Sequence, residues 1–143
     1  MLILVATLRW LGKRARELLI MSKYADIATL AVELVQFRKV RSPVEAWQES
    51  AFKFYPNSES ARNKGCPISA FLGLCEEGKV KGIAAGSYTN SKDNKKYALE
   101  ALELIKANPQ LSETELWKSI SSKAYNQQMH VVLALYKKGW LNF

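Results

Sequence analysis

The chain has 143 residues, 48% hydrophobic and 24% charged, which supplies apolar material for a packed core and excludes wholesale disorder. Its formal net charge of +8 suits a polyanionic partner and governs encounter rates, without defining a fold. Two cysteines, Cys66 and Cys75, cannot build a disulfide framework, and no CxxC spacing points to a metal, so no cofactor is expected and a reduced cytoplasmic setting is.

Residues 1–20 read differently from the rest. An apolar run from Met1 to Leu8 precedes Arg9, Lys13, Arg14 and Arg16. A secretory signal places its charges before the apolar stretch, and this run is too short to span a bilayer. Two readings remain: an amphipathic helical extension lying on the core or on a membrane surface, or sequence upstream of a natural start at Met21. Arg16-Glu17 can be encoded by AGG-GAG, a ribosome-binding sequence at a suitable distance from the Met21 codon, which favours the second. Without residues 1–20, four positive charges and one negative are lost, and the net charge falls from +8 to +5.

From about Tyr24, Ile27, Ala28, Ala31, Leu34 and Val35 recur at the spacing of an amphipathic helix. Ser42-Pro43-Val44-Glu45 opens a second helix: serine caps, proline takes the first helical position, and glutamate reaches back. A third helix opens at Pro67 and runs through Phe71, Leu72 and Cys75 to Gly78. Gly78 to Asn90, rich in Gly, Ala and Ser, reads as a linker. Ser91 then caps a helix carrying Tyr97, Ala98, Ala101, Leu104 and Ile105, which ends at Asn108-Pro109. Ser112 and Glu115 form a second capping box, with Leu111 placed to staple onto Leu116. The last helix carries Met129, Val132, Leu133 and Tyr136 and stops at Gly139.

These six helices fall into two sets of three. At an offset of 70, Ala28, Ala31, Glu33, Leu34, Ser42, Glu45 and Trp47 meet Ala98, Ala101, Glu103, Leu104, Ser112, Glu115 and Trp117. At an offset of 61, Leu72, Leu74 and Gly78 meet Leu133, Leu135 and Gly139. The expected architecture is therefore all-α: a six-helix bundle from two pseudo-repeated three-helix units, 21–86 with the linker and 87–143, packed as one domain. Trp47 and Trp117 are expected to fill equivalent pockets.

Catalytic constellations are scarce. The single histidine, His130, lies in an apolar helix with no carboxylate or nucleophile near it in sequence, Glu76-Glu77 and Glu100-Glu103 read as solvated faces, and no P-loop or dinucleotide fingerprint occurs. The expectation is a non-enzymatic binding module. Two places carry ligand chemistry. Leu111 to Leu141 has the order of a helix-turn-helix unit with a glycine before an apolar segment. Asn126, Gln127, Gln128 and His130 stand at the start of its would-be recognition helix, where amides can pair with adenine, and Lys118, Lys123, Lys137 and Lys138 can meet phosphates. The chain stops at Phe143, so no wing follows, and ordinary capping is the simpler explanation of the polar cluster. The second place gathers Tyr88, Thr89, Ser91, Lys92, Lys95 and Lys96 at a helix N-terminus, a plausible anion-binding end. The partner is then nucleic acid, or alternatively another protein, with basic charge serving only solubility.

Lys64-Gly65-Cys66-Pro67, the run Ala70 to Cys75, Gly86-Ser87-Tyr88-Thr89, Asn94-Lys95 and Tyr97-Ala98 resemble a family of small bacterial proteins of unknown function. The resemblance covers Met21 to Leu141. It implies a helical fold and brings no activity, cofactor or catalytic residue with it.

Overall fold

The computed structural model describes residues 23–143. The expected N-terminal extension and the start at Met21 lie outside the described residues. Among those residues the chain is helical, with six helices of eight residues or more, one single turn and no strand beyond an isolated bridge.

Helix α1 (Lys23–Gln36) buries Tyr24, Ile27, Ala28, Ala31 and Val32, the one stripe its three-and-four spacing produces. It closes in a Schellman motif: Lys39 N donates to Leu34 O at 2.9 Å and Arg38 N to Val35 O at 3.0 Å. Arg38 sits at the left-handed position, φ 58°, where a side chain costs roughly 1–2 kcal/mol that glycine does not incur. Helix α2 (Pro43–Phe54) starts as its sequence demands, Ser42 Oγ accepting from Glu45 N at 3.2 Å with Pro43 at the first position. Buried Ser50 fastens α2 to α1 by donating to Ile27 O at 2.7 Å.

In the long loop that follows, a single helical turn, α3 (Glu59–Arg62), is capped by Ser58 and held by Arg62 Nη1 donating to Tyr55 O at 2.8 Å. Helix α4 (Gly65–Glu76) begins two residues ahead of Pro67. Helix α5 (Lys92–Ala107) is capped by Ser91, and α6 (Glu113–Ile120) by the complete box of Ser112 and Glu115. Helix α7 (Gln128–Lys137) has no side-chain cap from Gln127, which is itself left-handed at φ 71°.

Helices α4 and α7 form the centre. Pro67 and Ala70–Cys75 of α4 are buried, as are Gln128–Leu133 and Leu135 of α7. A helix apolar all round belongs in a core, and each large side chain so placed contributes about 1.5–3 kcal/mol. Around this pair, α1 packs on α2 and α7, whereas α5 packs on α4, α6 and α7. The halves thus interleave in one core. The α4–α5 crossing is close because Gly73 lacks a side chain: a Cβ there would lie 2.7 Å from Lys95 Cα.

The Gly78–Asn90 stretch, expected as a linker, is packed instead. Val80 and Ile83 are buried, and Val80 bridges Leu141 antiparallel, with Lys81 N donating to Trp140 O at 2.8 Å and Asn142 N to Lys79 O at 2.7 Å. Gly78 (φ 69°) and Gly139 (φ 72°) end α4 and α7 and turn both segments into that bridge.

Both tryptophans are buried, in different surroundings. Trp47 packs on Phe71, ring centroids 5.2 Å apart, and its Nε1 has no partner among the described residues. Trp117 lies between Tyr97 and Tyr125 and donates Nε1–H to Lys123 O at 2.7 Å. The two pockets are not equivalent in chemistry, and the two-copy relation stays a reading of the sequence.

Candidate binding cleft and the basic residues of the second half

A cleft of about 820 Å³ opens where the end of α4, the segment after it and the first turns of α5 meet. Glu76, the last residue of α4, dominates it. Its Oε1 accepts from the backbone amides of Tyr88 (2.7 Å) and Thr89 (3.2 Å), and its Oε2 takes Lys95 Nζ at 2.6 Å. Lys95 reaches Glu77 as well. The Lys95 ammonium, with the two amides, holds the Glu76 carboxyl down to about 2, and the Glu76 and Glu77 carboxylates in turn raise Lys95. The Tyr88 and Thr89 amides, just ahead of α5, therefore grip the chain's own carboxylate.

The remaining expected anion ligands divide. Tyr88 spends its hydroxyl on Ala84 O at 2.7 Å. Thr89 Oγ1 accepts from Ser91 N at 3.1 Å, and Ser91 Oγ accepts from Asn94 N and Nδ2. Lys92 and Lys96 stay exposed, with Lys96 at 3.8 Å from Glu100. The six residues do come together, and four of them, Tyr88, Thr89, Ser91 and Lys95, have internal partners. Sequence reasoning missed Glu76. It stood in an acidic pair before Gly78 and looked like a solvated face, with nothing in its spacing to announce a clamp twelve residues on.

The cleft walls carry Lys79, Lys92, Lys95 and Lys96 against Glu76, Glu77, Glu100 and Glu103, with Leu99 and Leu102 among them. Four positive and four negative charges cancel, so the cleft attracts neither sign over distance.

The second expected site is rearranged more severely. Gln128 is 2% exposed; its Nε2 donates to Asn94 Oδ1 at 3.1 Å and its Oε1 accepts from Asn126 N at 2.9 Å. His130 is 7% exposed. The Tyr125 hydroxyl accepts from His130 N at 2.9 Å, capping the uncapped start of α7, and pairs with Nδ1. The other ring nitrogen, Nε2, is buried without a partner among the described residues. Burial lowers the His130 pKa and raises that of Tyr125.

A recognition helix must offer a face to the major groove, and seven of the ten residues of α7 are buried. Gln128 and His130, expected as base readers, lie in the core. Asn126 and Gln127 are half-buried. Lys118, Lys123, Lys137 and Lys138 are exposed, Lys123 lying 3.9 Å from Asp93 and Lys138 6.0 Å over the Trp140 ring. No cluster of three or more His, Cys, Asp or Glu is placed to hold a metal ion among the described residues.

Among the described residues, fold and cleft together define an all-helical protein with a charge-balanced groove beside its central helices. Among the described residues no helix is long and apolar enough to cross a membrane. The chain belongs to a family of unknown function, DUF6979, which matches residues 21–142. No curated protein and no solved structure matches it.

Proposed function

We propose that the protein is a non-enzymatic binding module and that its cleft takes a segment of another protein. The observation that carries this reading is the composition of the cleft: about 820 Å³, within the size range of ligand sites, with balanced charges around Leu99 and Leu102. An extended peptide carries both signs of charge and apolar side chains between them, which matches such walls. A polyanion gains from released counterions only where positive charge is in excess, and here it is not.

Panning linear peptides displayed on phage against the full chain tests this reading. Selected peptides are expected to lose at least tenfold in affinity, about 1.4 kcal/mol, on Leu99→Asp, which places a charge on the half-buried apolar wall. Peptides that bind Leu99→Asp as well as they bind the native chain would remove the cleft from consideration. Nucleic acid held by Lys118, Lys123, Lys137 and Lys138 is the second reading, favoured by the exposure of all four. With Gln128 and His130 in the core, such binding is to phosphates and carries little sequence preference.

A further inference from the structure

The closure of α1 stands apart from the other two of its kind. All three use the same pair of backbone bonds, and α4 and α7 place glycine at the left-handed position: Lys79 N donates to Leu74 O and Gly78 N to Cys75 O, and Trp140 N to Leu135 O and Gly139 N to Tyr136 O. Only α1 places a long, charged side chain, Arg38, where the backbone favours none.

The surroundings of Arg38 give that side chain a use. Phe37 beside it is 71% exposed, the most exposed large apolar side chain of the described residues. Lys39 and Arg41 follow, both exposed. Gln36 Nε2 donates to Lys81 O at 3.0 Å, which lays Lys81 alongside, and Lys81 in turn bonds Trp140 through the bridge. Residues 36–41 and 80–82 thus bring Arg38, Lys39, Arg41 and Lys81 together with no Asp or Glu in either segment. Among the described residues none of the four forms an ion pair. The protrusion is held at both ends, by the Gln36 bond and by buried Val40, so little freedom is lost on binding.

We infer that the Phe37–Arg41 turn with Lys81 is a docking site for single-stranded nucleic acid. Phe37 is the platform on which an unpaired base stacks, and the four cations meet the phosphates on either side. A strained arginine beside an uncovered aromatic ring fits this ligand better than a duplex, whose stacked bases leave no face for Phe37. None of these residues lines the cleft, and the site does not depend on what the cleft binds.

The test is fluorescence anisotropy of a labelled oligothymidylate with the full chain, titrated at two salt concentrations, alongside thermal unfolding of each variant. With about four phosphates contacted, affinity is expected to fall roughly 50-fold between about 50 and 200 mM salt. Phe37→Ala is expected to weaken binding about tenfold through lost stacking. Arg38→Gly is decisive because it separates binding from folding: it should raise the unfolding temperature, by relieving the left-handed strain, while weakening binding several-fold and flattening the salt dependence. Leu99→Asp should leave oligothymidylate binding intact.

The inference is overturned if the native chain does not bind the oligonucleotide, or if Phe37→Ala and Arg38→Gly bind it like the native chain. It is overturned equally if Arg38→Gly lowers the unfolding temperature, for then the side chain is structural. Binding to vesicles of phosphatidylserine and phosphatidylcholine without oligonucleotide binding would reassign the turn to a membrane surface and refute it.

Discussion

Replacing Gly73 by alanine tests the account of the helix crossing that builds the cleft. An added Cβ would meet Lys95 Cα and Cβ at 2.7 Å and Cγ at 2.9 Å, where carbon atoms rest at about 3.5–4.0 Å. Two of those three atoms belong to or adjoin the α5 backbone, so α4 and α5 must separate by about 1 Å rather than one side chain turning aside. Overpacking of that kind costs about 1–3 kcal/mol, and alanine returns up to about 1 kcal/mol in helix propensity. The net expectation is a loss of about 1–2 kcal/mol, a fall of roughly 3–8 °C in unfolding midpoint for a chain of this size. Two controls isolate the cause. Gly65→Ala meets nothing within 4 Å and should be neutral or mildly stabilising. Gly139→Ala also has open space but keeps φ 72°, so its cost is strain alone, about 1–2 kcal/mol. Thermal unfolding of the three variants followed by circular dichroism makes the comparison. Were Gly73→Ala as stable as Gly65→Ala, the crossing would be looser than described and the steric reasoning would fail.

Acid should weaken the fold in two stages. The His130 ring takes a proton less readily in the fold than in the unfolded chain, so stability falls as pH drops below about 6.5. Glu76, held at about 2 against 4.5 for an ordinary glutamate, contributes fully above about pH 4.5 and loses its contribution as pH falls towards about 2. Glu76→Gln should flatten the lower stage of a midpoint-against-pH curve and leave the upper one; an unchanged lower stage would place that titration elsewhere. The two thiols should separate as well. Burial pushes Cys75 well above the usual thiol range, while Cys66 is half-buried at the second residue of α4. Iodoacetamide is expected to modify Cys66 alone in the native protein and Cys75 only in denaturant, read by mass spectrometry; early modification of Cys75 would contradict a closed core.

What the sequence made legible was local. Ser42, Ser91 and Ser112 each cap a helix because the signal lies within four residues of its effect. The periodic apolar residues of α1 and α5 likewise announced their buried faces. What escaped was settled at long range. The clamp of Glu76 on Tyr88 and Thr89 joins residues twelve and thirteen apart through a loop that composition marks as flexible. Gly- and Ala-rich composition reads as a linker until one sees that Val80 and Ile83 anchor it. Gln128 and His130 misled because polar residues at a helix start favour the surface on average, and only the Asn94 and Tyr125 partners make their burial affordable. The single turn Glu59–Arg62 is too short to leave a period. The nucleic-acid candidates on exposed lysines were legible as charges but not as a shared face.

Helix α7 is the post on which the rest leans, and it is the final helix of the chain. During synthesis, α1, α4, α5 and α6 emerge before the partner they share, so each must wait with an apolar face uncovered. The core therefore closes only once α7 has emerged from the ribosome, in one late, concerted step dominated by contacts distant in sequence. That order leaves the chain most open to chaperones, and to mispairing with its neighbours, in the interval before α7 appears.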